Sequence, residues 1–190
     1  MKKLLILCIA LASVPFYKAY SISDEMQILN YSRYTLGGHI SARADNCFPA
    51  LRGEFSDNIY PDGDPLGRNV TYYKKFRNSQ NAIVPITQWR VATTANTYVT
   101  QSANNPILDN PFGTLARWGG IEVEYWNPNG GPYDNGGFAL NYDVRMESPG
   151  SPNVCLSYPM NYTDANVTVT SFYLDPTAPD DYVVVIVNSQ

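Results

Sequence analysis

The chain has 190 residues, of which 44% are apolar, 16% charged and 13% aromatic, with 15 Tyr. That is enough apolar material for one packed domain, and it excludes a wholly disordered chain. The net charge is −4, and setting aside residues 1–21 removes three lysines and no acid, leaving −7. A general nucleic-acid-binding surface needs a basic stripe, so this acidic body argues against nucleic acid as a partner.

Lys2 and Lys3 open the chain, and an uncharged apolar run follows through Leu4, Leu5, Leu7, Ile9, Leu11, Val14, Pro15 and Phe16, interrupted only by Ser13. The run falls short of the roughly twenty residues of a spanning helix. It fits the apolar stretch of a secretory signal, and Ala19-Tyr20-Ser21 offers a small-x-small cleavage site before Ile22. The rival reading keeps the run as a helical membrane anchor. Both readings send the chain into the export pathway. Residues 1–21 are therefore read as signal or anchor, and 22–190 as a single domain.

Cys8 lies in that leader, which leaves Cys47 and Cys155 in the body. Two cysteines in an exported domain most often form a disulfide, and two buried free thiols are the alternative. With one His in the chain and no CxxC, metal binding has little support, and no cofactor is expected.

Beyond the leader, Ile22, Met26, Leu29, Arg33, Leu36 and Ile40 follow a 4-3-4-3-4 spacing, apolar at every place but Arg33. This spacing predicts an amphipathic helix with its apolar stripe, Leu29 and Leu36 included, buried against the rest of the domain. Cys47-Phe48-Pro49 ends it. If the leader is retained, residues 4 to about 44 form one long helix, kinked at Pro15. Residues 53–70 read as loop. Strands are predicted at Val70–Phe76, within Ile83–Thr100 in two pieces, and at Ile121–Trp126, Phe138–Met146, Val154–Tyr158, Val167–Leu174 and Tyr182–Val187. Ile121 to Tyr125 alternates cleanly, so Glu122 and Glu124 should share a wet face. The apolar run Tyr182–Val187 suggests a strand buried on both faces. The expected class is α+β, a long N-terminal helix packed on a mostly antiparallel sheet.

The candidate sites are sparse. Asp62-Gly63-Asp64-Pro65-Leu66-Gly67 begins like a calcium loop but has Leu at the third ligand position, and Tyr73 stands where the bidentate Glu belongs. A polar turn is the better reading. Asp175, Asp180 and Asp181 read as an exposed acidic turn. His39 is the one imidazole, and no nucleophile-elbow serine accompanies it. There is no Walker A, GxGxxG or HExxH motif, so no catalytic residue is assigned. Trp89, Trp118, Trp126 and the tyrosines could form a stacking platform for sugars, although packing should claim most of them.

Two stretches resemble type IV pilins, closest to the type IVb (PilS-like) subclass. Ala12 to Tyr20 is similar to that family's apolar helix, Pro, then Tyr-x-x-Tyr. The order Asn110-Pro111-Phe112-Gly113, Trp118-Gly119-Gly120-Ile121-Glu122-Val123, Phe138-Ala139-Leu140 and Cys155-Leu156 is similar to its C-terminal pattern. The prepilin-peptidase Gly and the Glu of the mature helix have no counterpart here. The resemblance implies a long helix docked on an antiparallel sheet, with a disulfide stapling the C-terminal region. It also implies a structural subunit of a pilus or related secretion or conjugation filament, with other pilin subunits as partners. Such a subunit sits in the inner membrane before assembly and in an extracellular fibre afterwards. Leu4, Leu5, Leu7, Ile9, Leu11, Val14, Pro15 and Phe16 would then form the membrane and filament core. Ile22, Met26, Leu29, Leu36 and Ile40 would pack helix on sheet. The competing expectation is a secreted or periplasmic β-rich adhesin that holds a host-surface or glycan ligand.

Overall fold

The computed structural model describes residues 25–44, 48–94, 97–129, 136–141, 161–174 and 182–190. The first described element is a strand, β1 (Glu25–Tyr31), in which Met26, Ile28 and Asn30 are buried while Gln27, Leu29 and Tyr31 face the other way. A turn over residues 32–34 leads into β2 (Thr35–Arg43). The buried Asn30 side chain closes that turn: its amide donates to the carbonyls of Tyr34 and Tyr60, at 2.8 Å each, and its oxygen accepts from the Ser32 hydroxyl at 2.6 Å.

The N-terminal helix expected over this segment is therefore replaced by two strands, and the fold is not α+β with a helix on a sheet. Two periodicities compete in the same residues. A helix groups Met26 with Leu29, whereas a strand groups Met26 with Ile28 and leaves Leu29 opposite. The strand wins because β1 is paired on both sides, parallel to β11 and antiparallel to β4. At Gly38 the backbone has φ 147, and the main chain of Glu122 lies where a Cβ would sit. Of the residues assigned to helix-to-sheet packing, Met26, Leu36 and Ile40 are core residues of strands, Leu29 is only half-buried, and Ile22 lies outside the described residues. So do Leu4–Phe16, the acidic turn Asp175–Asp181 and the cysteines Cys47 and Cys155. No helix among the described residues is long and apolar enough to cross a membrane.

The remaining strands are β3 (Ala50–Glu54), β4 (Val70–Tyr73), β5 (Gln88–Thr94), β6 (Thr97–Ser102), β7 (Arg117–Trp126), β8 (Gly136–Asn141), β9 (Asn161–Thr163), β10 (Val167–Leu174) and β11 (Tyr182–Ser189). Among the described residues, helix is confined to short turns at Arg77–Asn81, Pro106–Leu108 and Phe112–Leu115. The strands form a five-stranded sheet, β4-β1-β11-β10-β9, and a six-stranded sheet, β6-β5-β3-β2-β7-β8. Every pairing among the described strands is antiparallel except β1 with β11.

The inner faces of the two sheets share one core. Tyr73 of the smaller sheet meets Trp118 of the larger at 6.2 Å between ring centroids, and Phe76 packs edge-on against Trp118 at 4.6 Å and against Trp89 at 5.3 Å. The polar ends of the core aromatics find partners, as burial requires. The Trp89 indole donates to the Phe76 carbonyl and the Ser79 hydroxyl, and the Tyr73 hydroxyl donates to the Val84 carbonyl. Valines 183, 184, 185 and 187 of β11 are buried between two neighbouring strands, as the unbroken apolar run suggested.

Candidate functional site

The six-stranded sheet turns its other face outward, and period-two alternation decides what lies there. In β3, Leu51 and Gly53 are buried while Arg52 and Glu54 are exposed; in β5, Trp89 and Val91 are buried while Gln88 and Arg90 are exposed. In β7, Val123 and Tyr125 are buried while Glu122 and Glu124 are exposed, as their spacing predicted. These outward residues line a groove of about 970 Å³, walled by Phe55 and Asn58 from the segment after β3.

Strand register arranges the groove in rows. Thr100, Arg90, Arg52 and Ser41 lie side by side across β6, β5, β3 and β2. The next row carries Glu54, His39 and Glu122 across β3, β2 and β7. Further along, Gly37 is paired with Glu124, and Glu124 with Gly137. Trp126 leans over Gly37: its ring lies 2.8 Å from where a Cβ on that residue would be. Gly37 is therefore what lets an aromatic ring lie low across the groove, and any side chain there would displace it.

His39 is held from both sides. Arg52 donates to its Nδ1 at 2.9 Å, and its Nε2 lies 2.9 Å from a Glu122 carboxylate oxygen. The two contacts together define the neutral tautomer with the proton on Nε2, donated to Glu122. Burial, and then the Arg52 charge, push its pKa below the ordinary value despite the opposing Glu122. The predicted helix would have carried His39; in the structure His39 is on β2 and its neighbours come from β3 and β7.

A second polar cluster ties the two sheets together. The Tyr125 hydroxyl donates to the Asp164 carboxylate at 2.5 Å, and Tyr162 donates to the same oxygen at 2.8 Å. The other Asp164 oxygen accepts from the backbone of Asn166 and Val167. Burial opposes ionisation of Asp164, but these bonds outweigh it and hold its pKa below the usual carboxylate value. Burial, reinforced by Asp164, pushes Tyr125 up to about 12. Gly136 leaves the room that the Tyr125 hydroxyl occupies.

The loop resembling a calcium site is closed on itself. Asp64 accepts from the side chain of Arg68 at 2.9 and 3.2 Å and from the backbone of Arg68 and Leu66, and Arg68 holds its pKa down to about 2. The Arg68 guanidinium in turn lies 3.6 Å over the Tyr60 ring. No group of three His, Cys, Asp or Glu among the described residues could hold a metal ion. Of the tryptophans, Trp89 and Trp118 are core and Trp126 alone reaches the groove. Arg52 escaped sequence reading because residues 50–52 carry no predicted element and the predicted loop starts at residue 53, while Arg90 lies in a stretch predicted as strand whose partner, β3, was not foreseen. The alternation Leu51-Arg52-Gly53-Glu54 was the signal available.

Comparison with family models, with curated proteins and with solved structures gives no match.

Proposed function

We propose that the chain is an exported carbohydrate-binding β-sandwich module, with the groove of the six-stranded sheet as its binding face. One observation carries this reading. Trp126 lies low over Gly37 beside Glu122, Glu124, Asn58, Arg52, Arg90 and Gln88, all in one open groove. Sugars offer an apolar C–H face that an aromatic ring can cover and vicinal hydroxyls that planar carboxylate, amide and guanidinium groups bridge in pairs. Binding is favoured over catalysis because both ring nitrogens of His39 are already engaged, by Arg52 and Glu122, and no activated nucleophile stands beside it among the described residues. The reading of residues 1–21 as an export signal or anchor supports a module that works outside the cytoplasm. A filament subunit would need its docking helix, and the part of that segment from Glu25 to Arg43 is two strands joined by a turn. The adhesin reading requires only a sheet face of this kind.

The test is a glycan array probed with the full chain and with Trp126→Ala. We expect a defined set of glycans to be retained by the parent and lost, by tenfold or more, in the variant, with thermal unfolding little changed. Failure of the parent to retain any glycan overturns the reading.

A further inference from the structure

We propose that the ligand of this groove is a saccharide bearing a single oxyanion, carboxylate or sulfate, seated between Arg52 and Arg90; this rests on the carbohydrate reading above. The two arginines are directly opposed in the β3–β5 ladder, both on the outer face. Like charges facing each other across neighbouring strands destabilise a sheet. Such a pair is ordinarily relieved by an intervening carboxylate, and here it is not. The ion pairs among the described residues are His39–Glu122, Arg68–Asp57, Arg68–Asp64 and Arg77–Asp109, and none includes Arg52 or Arg90. Arg90 has its guanidinium 5.5 Å from the centroid of the Tyr98 ring, and Arg52 donates to the uncharged Nδ1 of His39.

His39 is what keeps the charge available. It stands between Arg52 and Glu122, satisfying the carboxylate with its own N–H and bracing the guanidinium with its lone pair. Arg52 is thus held in place without being neutralised. Two planar forks facing one groove suit an oxygen anion, which accepts paired, charge-assisted N–H bonds.

The remainder of the groove limits how many anions the ligand carries. Glu54, Glu122 and Glu124 line the neighbouring rows, and the chain as a whole carries net charge −4. A densely charged polysaccharide would meet repulsion along most of its length. A sugar with one anionic group and several free hydroxyls meets arginines at one end and hydroxyl-accepting carboxylates beyond them. From Ser41, in the arginine row, to Gly37, under Trp126, is four residues of strand, about 13 Å. That distance suits a short oligosaccharide with its anion at one end and an apolar ring face at the other.

The experiment is an array that sets each singly sialylated, uronylated or sulfated oligosaccharide beside its neutral core, followed by titration calorimetry on the retained pairs. The expected result is a preference of about tenfold or more for the anionic member, reduced to near parity in Arg90→Gln. Retention of sulfated but not carboxylated members, or the reverse, identifies which oxyanion is bound and supports the proposal in either case. Equal binding of anionic and neutral members overturns it and leaves the carbohydrate reading standing, as does an anion preference that survives in both Arg90→Gln and Arg52→Gln. Absence of binding to any glycan removes both. Preferential binding of heparin or polygalacturonate over singly charged sugars also overturns it.

Discussion

Tyr125 shows how one side chain joins the two layers. Its ring belongs to the core of the larger sheet, while its hydroxyl reaches an aspartate just before β10 of the smaller one. Folding holds that hydroxyl protonated up to about 12, against about 10 in an unfolded chain. Between those values the folded chain binds more protons than the unfolded one. The associated stability is fully present below about pH 10 and is lost as the pH rises towards 12. Tyr73, raised by burial, adds to the same alkaline loss. Urea unfolding followed from pH 9 to 11 should therefore show a falling midpoint in the parent and a shallower fall in Tyr125→Phe. Parallel curves would show that the hydroxyl does not titrate differently in the two states. This cluster was not legible in the sequence, because Tyr125, Tyr162 and Asp164 are distant in the chain or hidden among many tyrosines. His39 was visible as the one imidazole, but its role depends on Arg52 and Glu122, which only strand register brings to it.

At the scale of the element, β1 separates the two periodicities that its sequence permits. A helix would bury Leu29 as deeply as Met26, whereas the strand buries Ile28 completely and leaves Leu29 half-buried on the other face. Ile28→Asp should abolish cooperative folding, since a carboxylate there has no partner and no water. Leu29→Asp should leave a folded domain with a lowered melting temperature. Circular dichroism melts of the two variants check the assignment, and the reverse order would contradict it. Elsewhere local sequence was more informative. Val167–Leu174 was read with its observed bounds, and Ile121–Trp126 forms the second half of β7. Both are rich in β-branched or aromatic residues and have a clear alternation, so local preference and tertiary pairing agree. In Met26–Ile40 the apolar residues are sparse enough to satisfy either period. The outcome there is set by β11, more than a hundred residues away, and no local signal records that partner.

Across the whole molecule, the parallel pairing of β1 with β11 joins the first described strand to the last through a seven-residue register from Glu25–Tyr182 to Tyr31–Asn188. Long-range pairing of this kind is formed late and slowly, since a large loop must close before any rung is made. It also fixes how the fold responds to tension. Strands that run parallel have their outer ends at opposite extremities of the ladder, so a pull on the chain before Glu25 and after Ser189 slides them past one another. All the rungs must then yield together. A pull across Gln88 and Ser102, which face each other at the open end of the β5–β6 hairpin, parts one rung at a time. Single-molecule stretching through handles at those two pairs of positions should give a rupture force several-fold higher for the first geometry. Equal forces would mean that the terminal pair does not bear the load. A domain clamped in this way resists being drawn out by a pull on its two ends, the load that the proposed sugar-holding module would meet under drag outside the cell.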